Sequence, residues 1–321
     1  MKAVVYEKYG PPEVLELREI DKPIPEDDEI LVKVHAASIQ QTDIRFRTGT
    51  PLMARMFSGL IKPKNQILGC DYSGIIEATG KNITAYEIGD EVYGSLDKRT
   101  GTHAEYITVS TKEVSRKPRN ISYEEASSIG VAGTMALLGL RDHGRIRKGQ
   151  KVLVNGASGG IGSFAVQLAK HYGAEVTGVC SGSNIEMVKS IGASHVIDYT
   201  NEDFTDRSDE YDLIFDAVRK KTFNECKDAL TSKGVYVTTE FGPGIMLRMK
   251  MNSNPDSKRM VGYLGKTDPM DLVFLCELIE AGEVRPVIDR VYPLAEIADA
   301  HRYVEKGHAK GKVIMRMVEN Q

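Results

Sequence analysis

The four cysteines of this chain, Cys70, Cys180, Cys226 and Cys276, are scattered, and no two of them form a C-x-x-C pair. That argues against both a disulfide framework and a cysteine-rich zinc lobe, leaving reduced thiols as the expectation. Long basic runs are missing too: 42 Lys and Arg stand against 45 Asp and Glu, a formal net charge of -3. Such a balance offers no electrostatic footprint for nucleic acid or for an anionic membrane surface. No apolar stretch reaches the roughly 18 residues of a spanning helix, and charge breaks the apolar start MKAVVYEKYG within a few residues. The expectation is a cytoplasmic protein with neither nucleic acid nor membrane as partner. Internal repeats and low-complexity segments are absent. What 321 residues do allow is two domains of ordinary size, each able to bury its own core.

Short β-branched runs (AVVY, EILVKVHAAS, YSGIIEATG, DEVYGS, AEYITV) punctuated by Pro and Gly fill the N-terminal part and predict a mostly antiparallel β domain. Within it, Met53, Met56, Phe57, Leu60 and Ile61 fall at helical spacing and predict a short amphipathic helix ending before Pro63. From about Ser122 the texture changes. SYEEASSIGVAGTMALLGLRD reads as helix, and the apolar runs KVLVN, EVTGVC, HVIDY, DLIFDAV, VYVTTE and RMVGYLG then alternate with helical segments. Such runs are the mark of a parallel sheet buried on both faces. A helix beginning near Gly160 puts Ile161, Ala165, Leu168, Ala169 and Tyr172 on one face. Two further helices, PMDLVFLCELIEAGE and LAEIADAHRYVEKGH, precede a last strand, GKVIMRM.

The turn after the first of those six strands, VNGASGGIGSFAVQLAK, spells two motifs at once. Gly156, Ser158 and Gly160 make G-x-S-x-G, the nucleophile elbow of a serine hydrolase, with Asp216 and His301 in the chain order a triad needs. Gly156, Gly159 and Gly162 make G-x-x-G-x-x-G, which lets the backbone turn tightly, approach a pyrophosphate and pack a helix on its strand. The first N–H groups of that helix, around Gly160 and Ile161, then face the phosphate oxygens. Two features favour the dinucleotide. An elbow normally follows several strands of its own sheet, whereas this strand comes first, and Gly162 serves only the second motif.

An Asp or Glu closing the second strand would bind the adenosine ribose and repel a 2′-phosphate. Here the chain reads GVCSGSN, with neutral Ser181, Ser183 and Asn184, and the next acid, Glu186, lies inside the following helix. NADPH is therefore favoured over NADH, with Ser181 and Asn184 as contacts, although Ser181 reads equally well as a helix cap. A protein that binds NADPH without turnover is a third reading beside reductase and hydrolase.

These blocks, together with LGCDYSGIIEATG, IGDEVYG, GTMALLGL, IGASHVIDY and AHRYVEKGHAKGKVIM, resemble the medium-chain dehydrogenase/reductase superfamily, specifically its zinc-independent quinone oxidoreductase branch. The resemblance covers nearly the whole chain. It implies an α/β protein with a GroES-like β domain formed by both chain ends, residues 1–122 and 267–321, around an inserted Rossmann domain, residues 123–266, with a six-stranded parallel sheet. It also implies an active site in the cleft between domains and a homodimer. Zinc-dependent relatives carry Cys, Gly-His-Glu and a further Cys where this chain has Gln40, Gly69-Cys70-Asp71 and glycine or apolar residues around Gly130. One thiol and one carboxylate are too few for a three-ligand catalytic zinc, so no metal is expected and Cys70 reads as a small buried residue.

Without a Lewis acid, alcohol or aldehyde oxidation–reduction is the lesser alternative, and hydride transfer from NADPH to a quinone or α,β-unsaturated carbonyl is the expected chemistry. Hydrogen-bond donors aimed at the carbonyl oxygen would stabilise it, and SIQQTDIRFRTG supplies the candidates Gln40, Asp43 and Arg45. Gln40 stands where many quinone oxidoreductases carry Asn, and Arg45 where many carry Tyr. Arg45 reads equally as a solvated charge, and Asp43 as a turn-stabilising carboxylate. The resemblance further implies Thr134 near the nicotinamide or its phosphate, Tyr199 near the adenosine phosphate, and backbone at Phe241, Gly242 and Tyr263 to Gly265 along the nicotinamide. It implies Lys312 as a source of charge for the 2′-phosphate. Met246, Leu247, Met249 and Met251, with Met53, Met56 and Phe57, read either as an apolar wall for hydrophobic substrates or as ordinary packing.

Overall fold

The computed structural model describes residues 1–97, 99–240, 242–254 and 256–317. They form two compact units: Met1–Val131 with Thr267–Glu280 and Pro286–Gln321, and Ala132–Lys266 with Ala281–Arg285. Compared with the sequence-based division, residues 123–131 lie with the first unit and residues 281–285 with the second. Gln167 accounts for the latter: its amide donates to Arg285 O (2.9 Å) and accepts from Arg285 N (2.8 Å), tying the segment to the second unit's helix.

The first unit opens with the hairpin-like pair β1 (Lys2–Val5) and β2 (Glu16–Glu19), then runs through β3 (Glu29–Ile39), α1 (Gln41–Thr48), α2 (Ala54–Ser58), β4 (Asp71–Thr79), β5 (Glu91–Ser95), β6 (Tyr106–Ser110), β7 (Val114–Arg116) and α3 (Tyr123–Ala126). After α4 (Gly130–Leu138), the second unit continues with β8 (Lys151–Asn155), α5 (Gly160–His171), β9 (Glu175–Cys180), α6 (Ile185–Ser190), β10 (His195–Asp198), β11 (Tyr211–Asp216), α7 (Phe223–Cys226), β12 (Leu230–Thr238), α8 (Pro243–Met251) and β13 (Arg259–Gly262). The chain then adds α9 (Pro269–Glu280), β14 (Ile288–Pro293), α10 (Ile297–Glu305) and β15 (Lys312–Arg316) to the first unit.

In the second unit the six strands pair in parallel in the order β10-β9-β8-β11-β12-β13, the doubly wound arrangement. Their apolar runs (Val152 to Val154, Leu213 to Phe215, Val235 to Val237) are buried throughout, as a sheet covered on both faces requires. Phe164, Ala165, Leu168 and Ala169 of α5 are buried, each large apolar side chain contributing about 1.5–3 kcal/mol. Ile161 and Tyr172, expected on the same face, are half-buried at the helix ends.

The first unit's main sheet runs β14-β15-β3-β4-β5-β7 with β6 also on β3; all its pairs are antiparallel except β14 with β15. The expected amphipathic helix over Met53–Ile61 is only the five-residue α2, because Gly59 turns the chain away at φ +123°. Its apolar residues are exposed rather than packed. Among the described residues no helix is long and apolar enough to cross a membrane.

Candidate active site

Two sets of functional side chains emerge, one in each unit. In the second unit every strand of the parallel sheet ends at the same edge, and of the predicted nucleotide contacts Gly156 to Gly162, Ser181, Asn184, Tyr199, Gly242 and Tyr263 follow those strand ends. Asn155 ends β8, and Gly156 turns the chain at φ +82°, a conformation in which a side chain is strained. Gly159 N donates to Gly156 O at 3.0 Å and closes the turn. At Gly162 a Cβ would lie 2.0 Å from Gly156 O, so only glycine lets α5 press this closely on the turn. A Cβ at Gly159 would meet nothing closer than Gly156 O at 3.5 Å, so the protein itself does not need glycine there. A ligand backed against that backbone would need it, and the amides of Gly160 and Ile161 open the helix beside it. The turn therefore fits a pyrophosphate.

Ser158 is not arranged as a nucleophile. Its Oγ accepts from Asn184 Nδ2 at 3.2 Å, and the same amide donates to Ser181 Oγ at 3.2 Å. Neither proposed triad partner is hydrogen-bonded to Ser158. The Asp216 carboxylate accepts from Tyr236 Oη (2.7 Å), Asn155 Nδ2 (3.0 Å) and the amides of Val218 and Arg219. His301 belongs to the first unit, fully buried, with its ring edge-on to His103. The hydrolase reading is corrected accordingly: among the described residues the side chain bonded to Ser158 Oγ is the Asn184 amide, which is not a base.

Ser181 and Asn184, with Ser183, form a small hydroxyl and amide cluster after β9. The sequence reading missed an acid here. Asp198, at the end of neighbouring β10, brings Oδ2 within 2.6 Å of where a Gly182 Cβ would stand. Its acceptor positions are taken by Thr200 N, Thr200 Oγ1 and Asn201 Nδ2, and these bonds hold its carboxyl below the usual value. Tyr199 follows, more than half exposed. Arg219, also missed, lies at the same sheet edge after β11, its Nε on Thr239 Oγ1 at 3.1 Å.

Thr134 is buried in α4. The Tyr263 side chain is buried, donates to Met135 O and stacks at 4.6 Å on His143, so its ring props α4 and only its backbone is left for a ligand. Gly242 caps α8 with open space around its Cα; Phe241 lies outside the described residues.

In the first unit the centre is Asp71, fully buried at the start of β4. Its Oδ2 accepts from Gln40 Nε2 (2.8 Å), Ser38 Oγ (2.9 Å) and Lys312 Nζ (3.2 Å), and its Oδ1 from Val131 N (2.8 Å). The Lys312 ammonium and the Val131 amide at the start of α4 thus both face the Asp71 carboxylate. Lys312 is thus corrected: it is buried and paired with Asp71 in the first unit, not a free cation for an adenosine phosphate. Gln40 is the N-cap residue of α1. Since a carboxylate only accepts, its amide must present Nε2 to Asp71, which leaves one Nε2 hydrogen for another acceptor.

Asp43 accepts from Gln40 N (2.8 Å) and Gly69 N (3.0 Å), stapling the start of α1 to the loop before β4. Burial raises its carboxyl pKa, opposed by nearby His103. It positions Gln40 and does not reach outward. Arg45 is exposed on α1. Burial also pushes the Cys70 thiol up, as expected of an inert cysteine. Among the described residues no group of three His, Cys, Asp or Glu could hold a metal ion.

Comparison with known proteins places this geometry. Residues 26–119 match a family model described as an alcohol dehydrogenase GroES-like domain, and residues 191–315 one described as a zinc-binding dehydrogenase. The chain is 33% identical to 2-methylene-furan-3-one reductase of Solanum lycopersicum, covering 99% of this chain and 79% of that one. It is 34% identical to the chloroplastic NADPH-dependent alkenal/one oxidoreductase of Arabidopsis thaliana, covering 98% and 79%. The solved structure of the quinone oxidoreductase from Coxiella burnetii superposes with a TM-score of 0.89 at 29% identity, covering 99% of both chains.

Proposed function

Because the chain belongs to the medium-chain dehydrogenase/reductase superfamily, in its quinone oxidoreductase branch, we propose that it reduces small hydrophobic quinones or α,β-unsaturated carbonyl compounds with NADPH and without zinc. The carrying observation is the turn of Gly156, Gly159 and Gly162, whose serine answers to Asn184 and not to a base.

Gly156 to Gly162 would hold the pyrophosphate, and Ser181, Asn184 and Tyr199 the adenosine end. NADPH supplies the hydride when bound. Addition of hydride to the substrate's electrophilic carbon moves negative charge to its carbonyl oxygen, and the free Nε2 hydrogen of Gln40 is the donor we assign to that oxygen. Asp71 fixes the direction of that donor, and Lys312 balances the charge of Asp71. Solvent can deliver the final proton.

The donor set supports a zinc-free reaction. Where a metal's charge would be needed beside Asp71, the Lys312 ammonium already stands, and Gln40 turns its amide N–H there instead of a lone pair. The neutral Ser181, Ser183 and Asn184 cluster after β9 supports NADPH over NADH, with Asp198 accepting three bonds from Thr200 and Asn201 of its own loop. The reading includes the homodimer that the family resemblance implies, which light scattering of the purified protein checks.

The test is a fluorescence titration with NADPH and NADH, then oxidation of the preferred cofactor by a panel of quinones and enones. Tight NADPH binding with turnover is expected. Binding of neither cofactor, or stoichiometric zinc in an active preparation, would overturn the reading in its first or second part.

A further inference from the structure

The net charge of the whole chain conceals a local imbalance. Between Asp43 and Asp71 the sequence has no acidic residue and five basic ones, Arg45, Arg47, Arg55, Lys62 and Lys64. The same stretch carries six large apolar side chains, Leu52, Met53, Met56, Phe57, Leu60 and Ile61, at least half exposed, with Ile61 at 92% and Phe57 at 74%. Such a concentration within so few residues is unusual for a surface that meets only water.

The segment is held in place rather than loose. Tyr9 Oη pairs with Ser58 Oγ at 2.9 Å, Gly59 N donates to Arg55 O at 2.8 Å, and Lys64 N donates to Ser58 O at 2.7 Å. Arg55 lies over the Tyr9 ring at 4.6 Å and donates to Gly49 O at 3.2 Å. Arg47 is buried against Glu305. Arg45, Lys62 and Lys64 therefore carry the exposed charge, and neighbouring Glu7 is paired with Arg18.

We propose that residues 50–64 form an interfacial anchor that seats this protein on an anionic lipid bilayer, with the apolar tip among the acyl-chain ends and Lys62 and Lys64 at the phosphates. Apolar side chains beside cations, with no acid among them, are what a headgroup boundary selects. A protein partner fits less well, because lysine is depleted from protein interfaces and this patch is edged by it. The helix is far too short to span, so the attachment is peripheral and reversible. The proposal stands independently of the reductase reading, although a quinone dissolved in lipid would be within reach of a protein so placed.

The chain has no tryptophan, which makes a single reporter clean. In Leu60→Trp, adding phosphatidylglycerol-containing vesicles at low salt is expected to shift the emission to the blue, while pure phosphatidylcholine vesicles leave it unchanged. In co-sedimentation the unmodified protein follows the anionic vesicles, and Lys62→Gln with Lys64→Gln weakens this by about thirtyfold. Ile61→Ser weakens it by about tenfold through the lost apolar insertion. No blue shift and no sedimentation with anionic vesicles at low salt would overturn the proposal, as would binding that neither set of substitutions changes. A rise in KM for a water-soluble enone in Ile61→Ser, without vesicle binding by the parent protein, would assign the segment to the substrate instead.

Discussion

The glycine turn of the second unit and the nest around Asp71 in the first handle negative charge with opposite materials. The turn is backbone: three glycines bring amides to where a phosphate can meet them, within a few consecutive residues. The nest is mostly side chain, gathering Ser38, Gln40 and Lys312 with the Val131 amide from three distant stretches of chain. A backbone device is written in spacing and survives in any context that supplies a strand and a helix. A side-chain device exists only after the fold has brought its parts together. Damage to the first should therefore abolish binding, and damage to the second should disturb orientation and stability.

The largest expected effect is at the turn. Gly162→Val would place a Cβ 2.0 Å from Gly156 O, and backbone cannot give way cheaply. A loss of about 3 kcal/mol in stability is expected, with no measurable cofactor binding. Gly159→Ala sharpens the point, since its Cβ has ordinary room at 3.5 Å. That variant should melt like the parent in circular dichroism yet bind NADPH at least about tenfold more weakly, because only the ligand needs the space. Equal loss of stability in both variants would mean the turn is purely structural.

Next in size is Lys312→Met. It leaves the buried Asp71 carboxylate without its cation, which costs about 3 kcal/mol, at the low end for a broken buried pair because three other donors remain. Chemical denaturation would measure it, and Asp71→Asn in the same chain should restore part of the loss. Gln40→Ala, by contrast, should keep the melting temperature and lower kcat by about 100-fold, the effect of losing one oxyanion donor. If kcat is unchanged, Gln40 is no donor and the nest serves only the fold.

Much of the second unit was legible in the sequence, and for a stated reason. Six apolar runs between helices can hardly be anything but a doubly covered sheet, and the glycine spacing marks its first turn. The nest was only half legible. Gln40 and Asp43 lie in one motif, but nothing local announces that Lys312 meets Asp71, 241 positions away. Asp198 escaped in the same way, since it reaches Gly182 across adjacent strands and not along one. The helix expected over Met53–Ile61 failed because spacing records a face, while a face needs something to pack against and Gly59 ends the turn.

A smaller effect concerns pH. His301 is fully buried, and desolvation, with repulsion from His103 and Arg47, holds its pKa well below the usual 6.5. The unfolded chain therefore binds a proton that the folded one refuses, and stability present above about pH 6.5 falls as the pH drops below it. The slope is at most about 1.4 kcal/mol per pH unit for this residue. His103, also lowered by burial but opposed by Asp43, adds to it. Both nitrogens of His301 lack a partner among the described residues, so His301→Phe should flatten the acid limb of the melting profile at little cost near neutrality. An unchanged profile would place the acid sensitivity elsewhere.

The smallest effect is expected at the residue that first suggested a different enzyme. Ser158→Ala removes an acceptor 3.2 Å from Asn184 Nδ2, but that amide keeps Ser181 Oγ at 3.2 Å, and the cluster after β9 stays tied together. Turnover with an enone should therefore stay within about fivefold, because one neutral hydrogen bond is worth about 1 kcal/mol or less when a partner can be replaced by water. The parent protein should also resist a fluorophosphonate, since among the described residues Ser158 Oγ is bonded to the Asn184 amide and to no histidine, and the Asp216 carboxylate is filled by Tyr236, Asn155 and two amides. Labelling of the parent but not of Ser158→Ala, accompanied by loss of activity, would reverse the comparison. The turn would then have been built to present a side chain and not a backbone.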